Sequence, residues 1–256
     1  MTTLRPLILR AQTHVRVVPL FLGGLLLSAC AAPEQPTGIN DPFEETNRAI
    51  HDFNRGFDSR VLRPTAVFYG QTLPKPVRTV IGNLADTISL TGDVVNNVLQ
   101  GNGEDAIHNT FRFTLNATLG VGGIFDPAAS FGLETRDTGF GETLFTWGVN
   151  EGAYIELPFL GPSTQREAVG RVVDFFTNAD SYALEGTSAL AATGVGVVDL
   201  LNVRYDLLGP IDSVFYESED SYAQTRSLFL QNLRFNYSGG DAAEQVTDIY
   251  DEIYDE

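Results

Sequence analysis

The chain has 256 residues and is acidic, with 33 Asp or Glu residues against 16 Lys or Arg and a formal net charge of −17 at pH 7. This balance excludes nucleic acid as a partner, because binding to phosphates requires a basic surface. It also excludes electrostatic binding of a polybasic segment to anionic lipid head groups. Its single cysteine excludes an internal disulfide framework, and its length suits one large domain or two small ones.

The N-terminal segment has the pattern of a bacterial lipoprotein signal. Three arginines precede the apolar run 17–27, which is too short to span a bilayer. The sequence Leu27-Ser28-Ala29-Cys30 follows at once and predicts removal of residues 1–29 and acylation of Cys30. The mature chain then has 13 basic and 33 acidic residues, a net charge of −20. The alternative is an ordinary signal peptide with an incidental cysteine.

A Pro- and Gly-containing tether is predicted at residues 30–40, and the folded body begins at Asp41. Asp41-Pro42-Phe43-Glu44 is typical of a capping box, with Asp41 as N-cap and Pro42 in the first helical position. Four apolar side chains then follow at helical spacing and predict one apolar stripe: Phe43, Ile50, Phe53 and Phe57.

Two further helices are predicted at 77–99 and 106–119. In the first, Val77, Val80, Leu84, Ile88, Val95 and Leu99 keep a helical period, and Gly101-Asn102-Gly103 ends the helix. In the second, Ile107, Phe111, Leu115 and Leu119 share one face.

The Gly-rich segment 131–161 has little helical periodicity, and 154–159 is predicted to be extended, with Pro158 favouring an edge or a loop. A second capping box at 164–167 opens a helix that runs to residue 176. Ser188, Ala192 and Gly196 predict close helix packing, and a last helix starts at Ser221. Residues 238–256 contain seven acids and no base, and they predict an acidic, disordered tail. The fold class is therefore a mainly helical single domain at 41–237 with little β-structure.

The search for catalytic or metal-binding patterns finds no support for an enzyme. After residue 29 only two histidines remain, His51 and His108, and neither stands in a zinc-type spacing. No Gly-x-Ser-x-Gly elbow occurs, and the loose dinucleotide pattern at 101–106 follows a predicted helix rather than a strand. We expect no catalytic residue, no metal and no cofactor, although a Ser-His-Asp site built from scattered residues stays open.

Dense blocks of polar, aromatic and glycine residues occur along the body, at 41–48, 53–54, 97–101, 112–116, 120–128, 140–149, 152–158, 161–166 and 220–226. In this order and spacing they resemble the MlaA family, also called VacJ, of outer-membrane lipoproteins. The resemblance runs from about Asp41 to Asn236. Its motif residues, of structural or channel role, are Asp41, Pro42, Asn47, Arg48, Phe53, Asn54, Asn97, Gln100, Gly101, Arg112, Phe113, Asn116, Gly122, Gly123, Asp126, Gly141, Trp147, Gly148, Tyr154, Pro158, Gly161, Pro162, Arg166, Tyr222 and Arg226.

The resemblance implies a helical, ring-like body that is embedded in the membrane around a central amphipathic channel. It implies a non-enzymatic lipoprotein of the outer membrane, anchored by Cys30 in the periplasmic leaflet of a Gram-negative cell. Such a protein removes mislocalised phospholipid from the outer leaflet and passes it to a soluble periplasmic carrier, and it associates with a trimeric porin. Ala31 agrees with this location, since Asp after the cysteine is the usual signal for retention in the inner membrane of enteric bacteria.

Three functions remain open from the sequence. The chain is a transporter of this kind, a lipid-active hydrolase on the same membrane, for which the sequence offers no nucleophile, or a structural lipoprotein that binds porins without moving lipid. Arg112 and Arg166 either contact phosphate head groups or, as the favoured interpretation, pair with acids and hold the fold. Gly120–Gly123 either turn the chain at a channel wall or simply end a helix.

Overall fold

The computed structural model describes residues 38–177 and 187–237, and it describes the side chains of 38–176 and 192–237. The predicted signal peptide, nearly all of the tether with Cys30, and the acidic tail lie outside the described residues.

Within the described residues the chain is mainly helical, with one small sheet, as predicted. The elements in chain order are α1 (Glu44–Phe57), the π-helical segment π1 (Asp58–Leu62), α2 (Arg63–Thr72), α3 (Lys75–Gln100), α4 (Gly103–Thr118), α5 (Pro127–Ser130), α6 (Phe140–Thr146), β1 (Tyr154–Leu157), β2 (Gly161–Thr164), α7 (Gln165–Thr177), α8 (Thr187–Asp206), α9 (Leu208–Asp212), the π-helical segment π2 (Ser213–Glu217) and α10 (Ser221–Tyr237).

Helices α3 and α4 form a tight hairpin at the place where the sequence predicts a break. Gly101 ends α3 with a left-handed φ of 74°, a conformation that glycine adopts without strain. The side chain of Asn102 then accepts a hydrogen bond from the amide of Asp105 at 3.1 Å and caps α4. The two predicted helices are therefore confirmed, and both are capped by local sequence.

The start of α1 differs from the prediction. Phe43, not Asp41, occupies the N-cap position, and no side chain caps this helix. The carboxylate of Asp41 accepts hydrogen bonds from distant residues of α10, as described below. A long-range contact of this carboxylate has thus displaced the local capping box that the sequence favours.

The segment 131–161 contains more structure than its glycine content indicates. It includes the seven-residue helix α6, which packs on α7, and the strand β1. The extended stretch predicted at 154–159 is confirmed as β1, which pairs antiparallel with β2 in the register Tyr154 to Thr164 and Leu157 to Gly161. At Gly196 a Cβ would meet only open space, so this position does not show the close packing that the sequence predicts.

The interior of the described part is polar rather than apolar. Its residues 38–176 and 192–237 contain ten buried hydrophobic side chains but twenty buried polar or charged ones. The buried apolar cluster is small and consists of Tyr154, Tyr222 and Leu230, with Phe229 packed against it. A burial pattern of this kind is unusual, since Asn, Asp and Arg are normally exposed in proteins that fold in water.

The helices turn their apolar stripes outward. In α4 the apolar residues Ile107 and Phe111 are 62% and 59% exposed, whereas Asn109, Arg112 and Asn116 of the opposite face are buried. The same arrangement occurs at α1, where Phe43 at the N-cap and Phe53 within the helix are each 49% exposed. The apolar stripes thus face outward, because polar contacts between elements hold the opposite faces together.

No helix within the described residues is both long and apolar enough to cross a membrane.

Candidate functional site

Two asparagines of α1 dock this helix on strand β1. Asn47 donates to the carbonyl of Tyr154 at 3.1 Å and accepts from the amide of Glu156 at 2.9 Å. Two turns further on, Asn54 donates to the carbonyl of Leu157 at 2.9 Å and accepts from the amide of Phe159 at 2.7 Å. Each amide side chain therefore imitates the hydrogen-bonding edge of a neighbouring strand.

The carboxylate of Asp41 ties the start of the body to α10. Its side chain is 3% exposed and accepts hydrogen bonds from Asn47 at 2.8 Å, from the Tyr222 hydroxyl and from the guanidinium of Arg226. Burial alone raises the pKa of Asp41, but these hydrogen bonds outweigh it and lower the pKa below its usual value. Four residues of the blocks, Asp41, Asn47, Tyr222 and Arg226, thus meet in one cluster of hydrogen bonds between elements, and such a cluster is called a polar joint below.

Arg48 closes the same joint on its outer side. Its guanidinium donates to both oxygens of Asp220, at 3.0 and 2.9 Å, and lies 4.5 Å from the centre of the Tyr222 ring. These hydrogen bonds lower the pKa of Asp220 to about 2. The pair is partly exposed, and its role is to orient α10 rather than to stabilise strongly.

A second polar joint connects α3 to α6 and α7. Gln100 donates to the hydroxyls of Thr138 and Thr143, at 2.7 and 3.1 Å, and Thr143 donates to Asn96 at 3.0 Å. Asn96 in turn donates to Asp174 of α7 at 3.1 Å. Hydrogen bonds therefore run continuously through the middle of the described part, where other proteins place Leu and Val.

The third joint gathers residues of the blocks at 112–128. Arg112 is 1% exposed and donates to Asp126 at 3.1 Å and to the carbonyl of Leu133. Asn116 accepts from the amide of Ala128 at 3.2 Å. Burial raises the pKa of Asp126, but the hydrogen bonds to Ala129, Asn116 and Arg112 lower it below its usual value. The structure therefore agrees with the favoured interpretation of Arg112, which is that it pairs with an acid and holds the fold.

Arg166 is also buried within the body. It donates to the carbonyl of Val149 at 3.1 Å, its Nε lies 3.6 Å from Glu167, and its guanidinium lies about 5 Å from the rings of Phe145 and Tyr237. These contacts join the segment after α6 to α7 and α10.

Glycines in the blocks allow close approach at two places. A Cβ on Gly141 would lie within 2.7 Å of the carboxylate of Glu167, so any side chain there would displace the end of the Glu167 side chain. Gly123 has a φ of 92°, and a Cβ on it would lie 2.8 Å from the Thr87 side chain of α3. Gly122, Gly148 and Gly161 have positive φ values and open surroundings, and they serve as turns.

Other block residues do not meet in a common cavity. Three large side chains among them, Phe53, Phe113 and Trp147, are exposed. The Trp147 ring N–H donates to the carbonyl of Leu99 at 3.1 Å. Pro158 lies in the turn between β1 and β2, and Pro162 lies in β2. Asn97 is buried, and its side-chain nitrogen has no hydrogen-bond partner among the described residues.

Several buried charges were missed by the sequence analysis. Arg204 of α8 donates to both oxygens of Asp58 at 2.8 Å, and both side chains are at most 5% exposed. Asp58 continues the spacing of Asn47, His51 and Asn54, so these four form a polar stripe at helical period. That stripe was the signal available in the sequence, and it marks the buried face of α1.

The structure assembles a serine, a histidine and a carboxylate that lie far apart in the chain. His51 Nε2 lies 3.0 Å from Ser221 Oγ, and His51 Nδ1 lies 3.5 Å from Glu156 Oε1. All three residues are buried, and the His51 ring packs edge-on against Phe215 and Tyr222. Nδ1 is beyond hydrogen-bonding distance of Glu156, so the three side chains do not form the continuous hydrogen-bonded chain of a catalytic triad in this structure.

Within the described residues no group of three His, Cys, Asp or Glu side chains lies close enough to hold a metal ion. The polar groups of the interior form hydrogen bonds and ion pairs with one another, and these contacts hold the helices together.

Asp93 is a buried carboxyl with an incomplete set of partners. It accepts from the amide of Thr138 at 3.2 Å, while its Oδ2 has no partner among the described residues. Burial raises the pKa of Asp93 to about 7, despite that hydrogen bond, and the neighbouring carboxylates of Asp137, Asp174 and Asp86 raise it further.

We therefore expect this group to destabilise the fold as the pH rises. The pKa of Asp93 is higher in the folded protein than in the unfolded chain. Its contribution to stability is therefore fully present below about pH 4, where the carboxyl is protonated in both states, and is lost as the pH rises through about 7. Asp93→Asn is expected to stabilise the protein at pH 8 relative to wild type, by on the order of a few kcal/mol, and to change little at pH 4. Urea unfolding of detergent-solubilised protein at both pH values measures this, with exposed Glu45→Gln as the control. An equal effect of Asp93→Asn at the two pH values would contradict it.

The fold thus defines a mainly helical protein with a polar interior and large apolar side chains on its surface, an arrangement typical of proteins that contact lipid or other apolar surfaces. The family model described as MlaA lipoprotein matches residues 39–236, and the chain belongs to this family.

Relatives and a solved structure support this membership. The chain is 31% identical, over 90% of its length and 92% of the relative's, to the intermembrane phospholipid transport system lipoprotein MlaA of Escherichia coli K12. It is 30% identical to the protein of the same name from Haemophilus influenzae, over 94% and 97% of the two chains. A solved structure described as the structural basis for maintenance of bacterial outer membrane lipid asymmetry matches with a TM-score of 0.67 and 31% identity, covering 77% of this chain and 98% of that one.

Proposed function

We propose that this chain is an outer-membrane lipoprotein that removes mislocalised phospholipid from the outer leaflet and passes it to a soluble periplasmic carrier, so that the two leaflets stay different. Family membership supports this function, and one structural observation carries it. The described body has its polar residues inside and its large apolar side chains outside, with Phe68, Phe131 and Phe175 each at least 68% exposed.

This arrangement suits a protein that sits among acyl chains. In hydrocarbon no water competes for hydrogen bonds, so a polar interior closed by its own contacts is stable while apolar side chains face the lipid. A ring-like body with a central amphipathic channel belongs to the same proposal. Such a route keeps the head group in a polar environment and the tails in an apolar one, and it needs no covalent step.

Acylation of Cys30 would hold the body at the periplasmic leaflet of the outer membrane. Several acyl chains anchor a protein stably, whereas one chain binds only marginally. The proposed partners are phospholipid, the periplasmic carrier and a trimeric porin, and the exposed aromatic side chains offer apolar contact area for the porin. The same surface would also serve a structural lipoprotein that binds porins without moving lipid, which is the second candidate function.

The decisive experiment measures phospholipid in the outer leaflet of a strain that lacks this gene. Complementation with wild type is expected to clear the excess surface phospholipid, because the anchored protein removes it, and Cys30→Ala is expected to fail. Ser221→Ala should clear it as well as wild type, since Ser221 is a buried packing residue and no hydrolytic step is involved.

An outer leaflet that is unchanged by the deletion would overturn the transport proposal and favour the structural porin-binding function. Loss of clearance by a folded, membrane-bound Ser221→Ala protein would contradict the non-enzymatic mechanism and favour a hydrolase.

A further inference from the structure

Both π-helical segments of the described residues border one surface cleft of about 500 Å³. Segment π1 contributes Ser59 and Arg60, segment π2 contributes Tyr216, and the last turns of α1 contribute Asp52, Arg55 and Gly56. π-Helical turns are rare and occur frequently at functional sites, because they widen the helix locally. The cleft is bordered by two such turns, which is a feature typical of functional sites.

Buried charges beside the cleft join its two π-helical segments. Asp58 of π1 accepts two hydrogen bonds from Arg204, both at 2.8 Å, and a third from the hydroxyl of the cleft residue Tyr216 at 2.6 Å. Arg204 also donates to Asp212 at 2.7 Å, and Asp212 forms an ion pair with Arg63. The two π-helical segments that border the cleft are therefore held together by hydrogen bonds and ion pairs.

Two arginines of the cleft have no acidic partner. Most arginines among the described residues lie within 4 Å of a carboxylate, whereas Arg55, Arg60 and Arg171 do not. Arg55 makes a 3.5 Å contact with Ser221 Oγ, and both cleft arginines are exposed. Together with Asp52 they leave one net positive charge in an otherwise strongly acidic protein. Paired guanidinium groups are well suited to bind phosphate oxygens.

An apolar groove continues directly from this charged cleft. It has a volume of about 260 Å³, shares Asp52, Gly56 and Arg60 with the cleft, and is otherwise lined by three apolar side chains, Phe53, Phe57 and Val61. The ring of Phe159 packs edge-on against both phenylalanines at 5.0 and 5.1 Å, and it extends the apolar wall. A cationic pocket and an apolar groove therefore lie side by side on one helix.

Gly56 stands at the boundary between the two. A Cβ at this position would lie 3.0 Å from Arg60 Nη1, so glycine lets the Arg60 side chain lie back along the helix, one turn toward the N-terminus. The guanidinium therefore lies over the last turns of α1, in the cleft that Arg55 also lines.

We infer that the cleft and groove together form a docking site for a single phospholipid, with its phosphate between Arg55 and Arg60 and an acyl chain along Phe53, Phe57 and Val61. The inference rests on the proposed function and assigns part of the lipid's path to particular residues. Its chemical basis is complementarity, since an anionic phosphate joined to an apolar chain matches a cationic cleft joined to an apolar groove.

The test uses the full-length, acylated protein in detergent micelles and a short-chain phosphatidylglycerol as the probe. Arg55→Gln/Arg60→Gln is expected to weaken binding at least about tenfold, because charge-assisted hydrogen bonds to the phosphate are lost. Arg171→Gln is the matched control, since Arg171 also lacks an acidic partner but donates to the carbonyls of Leu160 and Pro162 outside the cleft. It should bind as wild type does.

Two further probes separate the parts of the ligand. Inorganic phosphate should compete only weakly, because it cannot fill the groove, and Val61→Asp should weaken phospholipid binding while leaving phosphate binding unchanged. Equal unfolding temperatures of all variants verify that they are folded. Strong binding of phosphate alone, or undiminished phospholipid binding by the double variant, would overturn the inference.

The outcome for this site is distinguishable from that for the proposed function. If the double variant binds lipid normally and clears surface phospholipid in cells, the docking site is wrong and the transport function stands. If wild type clears no phospholipid in cells, the transport function fails whatever the binding result.

Discussion

Replacing Arg204 by Met is expected to lower the free energy of unfolding by about 3–5 kcal/mol, because it leaves the Asp58 carboxylate buried and uncompensated. Arg204 and Asp58 are joined by two hydrogen bonds of 2.8 Å and are 3% and 5% exposed. Urea unfolding of the detergent-solubilised protein measures the change.

Two controls separate burial from charge. Arg63→Met removes a partly exposed partner of Asp212, 2.7 Å away, and should change the free energy of unfolding by less than about 1 kcal/mol. The double variant Arg204→Met/Asp58→Leu removes both buried charges and is expected to recover much of the lost stability. A loss in Arg204→Met no larger than that in Arg63→Met would show that the pair is hydrated and would sink this account of the interior.

The second large effect concerns the outward face of α4. Ile107→Lys/Phe111→Lys is expected to reduce partitioning of the unacylated Cys30→Ala protein into zwitterionic vesicles by at least about a hundredfold. Burying each of these side chains in lipid is worth roughly 1.5–3 kcal/mol, and a lysine there adds an unfavourable charge. Vesicle flotation measures the bound fraction, and the free energy of unfolding should stay nearly unchanged because both side chains are exposed.

The matched control adds the same two charges to a polar surface. Gln224 and Gln231 of α10 are exposed, so Gln224→Lys/Gln231→Lys changes net charge equally without removing apolar area. This protein should partition as its parent does. If both double variants lose binding equally, charge rather than apolar contact controls association, and α4 does not face lipid.

The positions of the helices could be predicted because their signals are local. The break at Gly101 and Asn102, for example, depends on a left-handed glycine and a side-chain cap within five residues. The orientation of the helices could not be predicted in this way. Periodicity shows that a helix has two different faces, but it does not say which solvent each face meets. In α1 the stripe Asn47, His51, Asn54, Asp58 is as periodic as the phenylalanine stripe, so periodicity alone does not show which of the two is buried.

The candidate site was recognised only in part. Asp41, Asn47, Tyr222 and Arg226 belong to the blocks of the resemblance, and the structure brings them together. Their roles did not follow from the sequence, since a capping box explained Asp41 equally well. Arg55 and Arg60 carried no signal at all, because an arginine without a partner is recognisable only when every carboxylate around it has been placed.

The sequence by itself determined the family, the mainly helical class and the approximate bounds of most helices, because these depend on motif order and on interactions within a few turns. Only the tertiary structure decided which faces are buried and which polar groups pair. Asn47 meets Tyr154 and Asp58 meets Arg204 across more than 100 residues of chain. Many residues of the same types offer similar hydrogen bonds, so local energy does not select among the pairings. The simultaneous packing of all the helices selects among them, since most buried donors and acceptors must find a partner.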